Sequence, residues 1–178
     1  IAHVNGEIRD VLVGMEVSDQ EGIDTTLVTL DGTANKSRLG ANAILGASMA
    51  CLRAATSGPL WAHIAADGPS SLPVPQMNIL NGGAHATSNV DVQEFMVVPH
   101  GFDNLSEALR AGVETYHALK SVLKEEGLLG GVGDEGGFAP NLPRNEDGLR
   151  HVLGAIERAG YTPGEHISIA LDCAAQEF

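Results

Sequence analysis

Apolar residues recur every three or four positions through about the first third of the chain, a spacing that predicts helices rather than strands. Gly14, the Asp31-Gly32 pair and the run Ser57-Gly58-Pro59 separate the recurring groups and predict where helices end or begin. The groups are Ile1, Val4, Ile8, Val11 and Leu12; Ile23, Leu27 and Leu30; Ile44, Leu45, Met49 and Leu52; and Leu60, Trp61 and Ile64. We therefore expect an all-helical beginning.

A change of composition follows this helical part. Between Asp67 and Pro75 the chain contains one glycine, three prolines and two serines, which is typical of a connection between folded units. We therefore predict two domains, residues 1–67 and residues 68–178.

Short apolar runs alternate with helical patterns in the second predicted domain. Residues 74–80 and 94–98 are predicted strands, and residues 105–123 form a long amphipathic helix for which Asn104 and Glu107 have capping-box spacing. Asn145 is predicted to cap a further helix that ends at Gly160. Residues 167–172, ISIALD, form a nearly continuous apolar run that ends in an acid, which predicts a strand buried on both faces.

Strands separated by helices predict an α/β fold, with a parallel sheet or a (β/α) barrel that builds its chemistry from loops at one face. The predicted strands are too few to close a barrel, so we expect either an open sheet or an incomplete chain. Ile1 already lies in a helical pattern, and Phe178 follows the last predicted strand directly. Both ends indicate an internal segment of a longer protein.

Charge narrows the set of partners. Ten Lys and Arg stand against 23 Asp and Glu, and the formal net charge of −13 would repel both nucleic acid and anionic lipid. We therefore expect no nucleic-acid or membrane partner. Cys51 and Cys173 lie far apart in apolar stretches, which predicts buried free thiols in a cytoplasmic protein.

The stretch GVGDEGGFAPN, residues 131–141, is the strongest candidate for chemistry. Glycines flank two adjacent carboxylates, Asp134 and Glu135, and can present them into a cleft. The glycines also satisfy GxGxxG, but this run follows a predicted helix, and its acids would repel a pyrophosphate, so a dinucleotide site is rejected. A solvated acidic turn is the alternative.

Further candidates lie near the ends of predicted strands. Asp91 and Glu94 flank the second strand's beginning, and Asp172 ends the last strand. A carboxylate in a poorly solvated position requires a compensating charge, and oxygen ligands without a Cys and His cluster favour Mg²⁺. A salt bridge or a helix cap remains the alternative for Asp172. His85, after two glycines, suits contact with a substrate phosphate or carboxylate, although a structural histidine fits equally well.

Glu94 and Glu135 lie on separate predicted loops and could form an acid and base pair, in which proximity or burial raises one pKa. The same spacing also fits a glycosidase pair. With only 7 aromatic residues in the chain, the stacking platforms typical of sugar sites are scarce.

Four motifs together resemble the enolase family in order and spacing, and the resemblance covers essentially the whole chain. They are DGTANKSRLGANAILG, PVPQMNILNGGAHATSNVDVQEFMVVP, GVGDEGGFAPN and ALDCAAQEF. The resemblance implies the beginning of an enolase-type (β/α) barrel, preceded by the helical part of an α+β amino-terminal domain.

Enolases remove water from 2-phosphoglycerate to give phosphoenolpyruvate, so the resemblance also implies site residues. Glu135 resembles the family's proton donor, and Glu94 its companion near the leaving hydroxyl and the substrate. Gln93 and His85 resemble substrate contacts, and Asp172 resembles the first Mg²⁺ ligand.

The resemblance implies a homodimer or larger homo-oligomer, located in the cytoplasm, with secretion or cell-surface display as the alternative. Two further acidic metal ligands and the base lysine of the family would lie beyond Phe178, so we expect the 178-residue chain alone to be inactive. A non-catalytic enolase-like scaffold or surface binding module is the alternative function.

Overall fold

The structure is a computed structural model, and it describes residues 1–65, 68 and 71–177. Contacts within the chain separate two compact units, Ile1–Ser70 and Ser71–Phe178. The predicted domain boundary follows Asp67, which lies outside the described residues, and it stays a prediction.

The first unit is helical, as its periodicity predicts. A π-helical turn, Val4–Ile8, continues into α1, Arg9–Leu12, followed by α2, Gln20–Asp31, α3, Ala41–Ala55, and α4, Leu60–Ala65. The Asp19 side chain accepts a hydrogen bond from the Gly22 amide at the start of α2, and Gly32 ends that helix in the left-handed conformation. The hydrophobic core of this unit is formed by Ile8, Ile23, Leu27, Leu39, Ile44 and Ala47.

The second unit combines three strands with two long helices. The strands are β1, Met77–Asn81, β2, Glu94–Val98, and β3, Ser168–Asp172, and the helices are α5, Leu105–Glu125, and α6, Asn145–Arg158. One-turn 3₁₀ helices lie at Gly83–His85 and Ala175–Glu177. As predicted, the Asn104 side chain caps α5 by accepting a hydrogen bond from the Glu107 amide.

The expectation of a parallel sheet is wrong for the described strands. They have the order β1-β2-β3, and β2 runs antiparallel to both neighbours. No crossover helix separates β1 from β2, and two helices rather than one separate β2 from β3, so the chain reverses direction at each step. As a result β1 and β3 run in the same direction, and the start of β2 lies beside the ends of both.

A bulge in β1 determines which of its side chains share a face. Asn78 pairs with Met96 and Leu80 pairs with Phe95, so Ile79 is an extra residue in β1. Glu94 and Met96 are two residues apart in β2 and lie on the same face. Their partners Asn81 and Asn78 therefore also share that face, although a regular strand would place them on opposite faces.

The opposite face of the sheet packs on the helices. Phe95 and Val97 of β2 are fully buried there, together with Leu119 of α5 and Ile156 of α6. The contact between β2 and α6 is close at Gly148, where an added Cβ would lie 2.7 Å from Cζ of Phe95. A glycine is therefore required at this position to let helix and sheet approach.

Three local predictions are also wrong. β3 is not buried on both faces: Ser168, Ile169 and Ala170 are only partly buried, and Leu171 and Asp172 are exposed. Cys173 is an exposed free thiol because it follows β3 in a loop. Asn145 does not cap α6: the cap position is Arg144, which makes no side-chain cap, and the Asn145 amide is directed to Asp91.

We expect Gly148→Ala to lower the free energy of unfolding by about 1–3 kcal/mol, because the added methyl group overpacks the contact with Phe95. Gly154→Ala in the same helix is the matched control. Nothing lies within 4 Å of its added Cβ, so it should raise the free energy of unfolding by about 0.5–1 kcal/mol. Urea denaturation of the full-length protein measures both, and equal effects at the two positions would contradict the close approach of α6 to β2.

Candidate active site

A row of polar residues lies at one end of the sheet, where β1 and β3 end and β2 begins. Asn81, the last residue of β1, pairs with Glu94, the first of β2, and Glu94 pairs with Asp172, the last of β3. Residues directly opposite each other on neighbouring strands point to the same face. An amide and two carboxylates therefore stand side by side where these strands begin or end.

The glycine-rich loop is attached to β1 by backbone hydrogen bonds. The backbone N–H of Phe138 donates to the Ile79 carbonyl at 2.9 Å, and the backbone N–H of Asn81 donates to the Phe138 carbonyl at 2.8 Å. The ring of Phe138 stacks on that of Tyr116 from α5, with centroids 4.5 Å apart. These contacts hold the loop beside β1, at the end of the sheet that carries the polar row.

Two glycines allow the loop to cross Asn81. An added Cβ at Gly133 would lie 2.7 Å from Cγ of Asn81, and one at Gly137 would lie closer still to the Asn81 amide oxygen. The intervening turn is closed by the Gly133 amide, which donates to the Gly137 carbonyl at 2.7 Å. The turn carries Glu135 over the polar row.

His85, Glu94 and Glu135 form a compact cluster: one nitrogen or oxygen atom from each lies within 4.8 Å of the other two. Nδ1 of His85 is 3.4 Å from Oε1 of Glu94 and 3.9 Å from Oε2 of Glu135. Nδ2 of Asn78 donates to Oε2 of Glu135 at 3.1 Å. The loop 82–93, the start of β2 and the glycine-rich loop each supply one member of the cluster.

Burial differs sharply between the two glutamates. The side chain of Glu94 is 14% exposed, whereas that of Glu135 is 51% exposed. Burial raises the pKa of Glu94, and the charge of Glu135, a hydrogen bond with Glu135 and the charge of Asp172 raise it further, against an opposing effect of His85. Glu94 therefore holds a proton more tightly than an ordinary glutamate does.

This arrangement can bind and move protons. Two neighbouring carboxyl groups, one mostly buried and one facing solvent, can share a proton and pass it to a bound molecule. Nδ1 of His85 is buried and makes no hydrogen bond within the described part of the chain, so it is available to a ligand. An imidazole with two carboxylates is also a donor set that can hold a divalent metal ion.

The remaining predicted site residues lie beside the cluster. Asp172 is exposed, and its Oδ1 accepts a hydrogen bond from the Ala174 amide at 2.8 Å, which orients the carboxylate at the strand end. Gln93 immediately precedes Glu94, and its carbonyl accepts a hydrogen bond from the Gly82 amide at 3.0 Å. The structure thus brings all five predicted residues to one edge of the sheet, while their individual roles stay predictions.

Sequence reasoning missed the two asparagines of β1. Asn81 is fully buried, and neither polar atom of its amide has a partner among the described residues. Asn78 donates to Glu135, as given above. The available signal was the presence of two amides in an otherwise apolar strand, but their spacing of three did not indicate a shared face.

These features define an α/β protein with a cluster of acids and one histidine where the strands of its second unit begin or end. Models of two domain families match the chain: enolase, N-terminal domain, over residues 1–64, and enolase, C-terminal TIM barrel domain, over residues 69–178. The chain belongs to the enolase family. Membership in this family indicates a lyase in the full protein.

We expect Glu135→Gln to lower the pKa of Glu94, because the substitution keeps the size of the side chain and removes the neighbouring charge. The value should stay above that of an ordinary glutamate, since burial persists. Carboxyl-carbon NMR titration of the full-length protein measures the shift. Glu114→Gln, next to Arg110 and Tyr161, is the control and should leave the pKa of Glu94 unchanged. An unaltered pKa of Glu94 in both variants would disprove the coupling.

Proposed function

We propose that the full-length protein is a glycolytic enolase that catalyses the Mg²⁺-dependent, reversible dehydration of 2-phosphoglycerate to phosphoenolpyruvate. The observation that carries the proposal is the cluster of His85, Glu94 and Glu135 beside Asp172, within a chain of the enolase family. Acid chemistry on a hydroxyl leaving group requires a protonated carboxyl group, and burial and like charges in this cluster raise the pKa of Glu94.

The two glutamates have unequal parts in the proposed reaction. The pair shares one proton, and Glu135, which faces solvent, passes it to the departing hydroxyl of the substrate. When the pair holds one proton, that proton resides on Glu94, whose pKa is raised by burial and by its acidic neighbours, and it moves to Glu135 before Glu135 acts as the acid. The buried carboxyl thus acts as a proton reserve for the exposed one.

His85 and Gln93 complete the proposed contacts with substrate. Nδ1 of His85 makes no hydrogen bond within the described residues and suits a phosphate or carboxylate oxygen of the substrate. A protonated His85 would also offset part of the negative charge that Glu94 and Glu135 create around an anionic substrate. Gln93 immediately precedes β2, and we assign it a contact with the same ligand.

The donor chemistry at Asp172 fits Mg²⁺. This ion prefers carboxylate oxygens, and the Asp172 carboxylate is exposed and held in a fixed orientation by the Ala174 amide. The cluster around His85 matches Mg²⁺ less well, because it includes a ring nitrogen. We assign Asp172 as the ligand; when bound, the ion would stabilise negative charge that develops on the substrate carboxylate.

We also propose a cytoplasmic protein that forms homodimers or larger homo-oligomers, as the resemblance implies. None of the described helices is long and apolar enough to cross a membrane. Light scattering of the purified full-length protein at several concentrations tests the oligomeric state, and a monomer throughout would refute it.

In the full-length protein, we expect Glu135→Gln to lower the turnover of 2-phosphoglycerate by about 100-fold or more, because an amide cannot donate the required proton. Mg²⁺ affinity, measured by calorimetry, should be nearly unchanged, since Asp172 is intact. Glu146→Gln in the first turn of α6 is a matched control that should keep full turnover. A fully active Glu135→Gln variant would remove Glu135 from the reaction.

Removal of divalent ions by a chelator should abolish phosphoenolpyruvate formation, and added Mg²⁺ should restore it. Asp172→Asn should raise the Mg²⁺ concentration needed for half-maximal activity, because a neutral amide oxygen is a weaker ligand than a carboxylate. A full-length protein with bound Mg²⁺ and no turnover would instead favour the non-catalytic scaffold.

A further inference from the structure

The two loops that carry the cluster are joined by a set of hydrogen bonds made through side chains. Nδ2 of Asn89 donates to the Leu142 carbonyl at 2.8 Å, and Oδ1 of Asn89 accepts from the Leu142 amide at 2.8 Å. The backbone N–H of Asn89 also donates to Oδ1 of Asn141 at 3.2 Å. One asparagine thus satisfies both polar backbone groups of a residue far along the chain.

A second reciprocal pair lies two residues further. The Asp91 amide donates to Oδ1 of Asn145 at 2.9 Å, and Nδ2 of Asn145 donates to Oδ2 of Asp91 at 2.9 Å. Asn145 is the first residue of α6, where its side chain could have capped the helix. Its amide is committed instead to the neighbouring loop.

We call these contacts, made by Asn89, Asp91, Asn141, Leu142 and Asn145, the loop clamp. The clamp closes the end of the loop 82–93 that leads into Glu94, and it holds the last residue of the glycine-rich loop and the segment that follows it. At the other end of the same two loops, the Asp134 amide donates to the His85 carbonyl at 3.1 Å. The loops are therefore fastened on both sides of the His85 and Glu135 side chains.

We propose that the loop clamp sets the separation between His85 and Glu135, so that Asn89, Asp91 and Asn145 are positioning residues for the acid chemistry. This inference rests on the proposed function for its kinetic part only. The two loops have no regular strand ladder between residues 89–91 and 141–145, and side-chain contacts supply the register that a ladder would otherwise fix. Because proton transfer depends steeply on geometry, loosening the clamp should slow the reaction.

Exchanging the two partners of the second pair provides the test. In the full-length protein, Asn145→Asp places two carboxylates face to face and opens the clamp. The double variant Asp91→Asn with Asn145→Asp restores the side-chain pair with donor and acceptor exchanged. The backbone N–H of residue 91 can still donate to the carboxylate at position 145. Asn104→Asp is the matched control: it adds the same charge at the start of α5, where a carboxylate caps the helix as well as an amide.

Two readouts are taken well below the unfolding temperature: hydrogen exchange by mass spectrometry, and turnover of 2-phosphoglycerate. We expect Asn145→Asp to accelerate exchange in residues 83–92 and 131–138 but not in α5, and to lower kcat by about 10-fold. The double variant should restore both quantities to within about twofold, and Asn104→Asp should change neither. If Asn145→Asp does not fold, Asn145→Ala opens the pair without an added charge and should give the same two changes.

Unchanged exchange in both loops of the Asn145 variants would show that the clamp does not join them, and faster exchange with full kcat would show that it does not position the acids. Either result overturns the proposal. The exchange measurement does not depend on turnover. A wild-type protein inactive on 2-phosphoglycerate would therefore refute the proposed function, while loop exchange would still decide whether the clamp exists.

Discussion

The antiparallel direction of β2 is the constraint on which the site depends. Asn81 and Asp172 end strands that run one way, and Glu94 begins the strand between them, so the three side chains meet at one edge. If β2 ran parallel to its neighbours, its beginning would lie at the opposite edge, and Glu94 would be about 13 Å away, the length of a five-residue strand. Reversal of a single strand thus gathers groups that are far apart in sequence.

This gathering has an energetic cost. Glu94 is mostly buried, and Glu135 and Asp172 both place negative charge near it, as the direction of its pKa shows. Such a concentration of like charge opposes folding, and proteins tolerate it where function requires it. The compensation lies on the other face of the same strand, where Phe95 and Val97 are fully buried against α5 and α6. One strand therefore carries a stabilising face and a reactive face.

Periodicity alone predicted the helices, because a repeat of three or four apolar positions over many residues has few other interpretations. Capping-box spacing added the Asn104 cap of α5, and the flanking glycines singled out the two acids of the glycine-rich loop. Periodicity could not predict the direction of β2, because strand direction depends on how many helices connect one strand to the next. The bulge at Ile79 was equally hidden, because an extra residue leaves the composition of β1 unchanged while it reverses the face of Asn78. Asn145 matched a capping pattern, and only tertiary structure shows that Asp91 competes for its amide.

The attachment of the glycine-rich loop to β1 has a second consequence, for solubility. Beyond its pairing with β2, a strand such as β1 presents unpaired backbone groups that can recruit another chain. Phe138 occupies that edge at Ile79 and Asn81, in the manner of a short additional strand. The segment that presents the acid therefore also shields the sheet from association with other molecules, so that damage to this loop would leave the protein prone to aggregate as well as impaired in its chemistry.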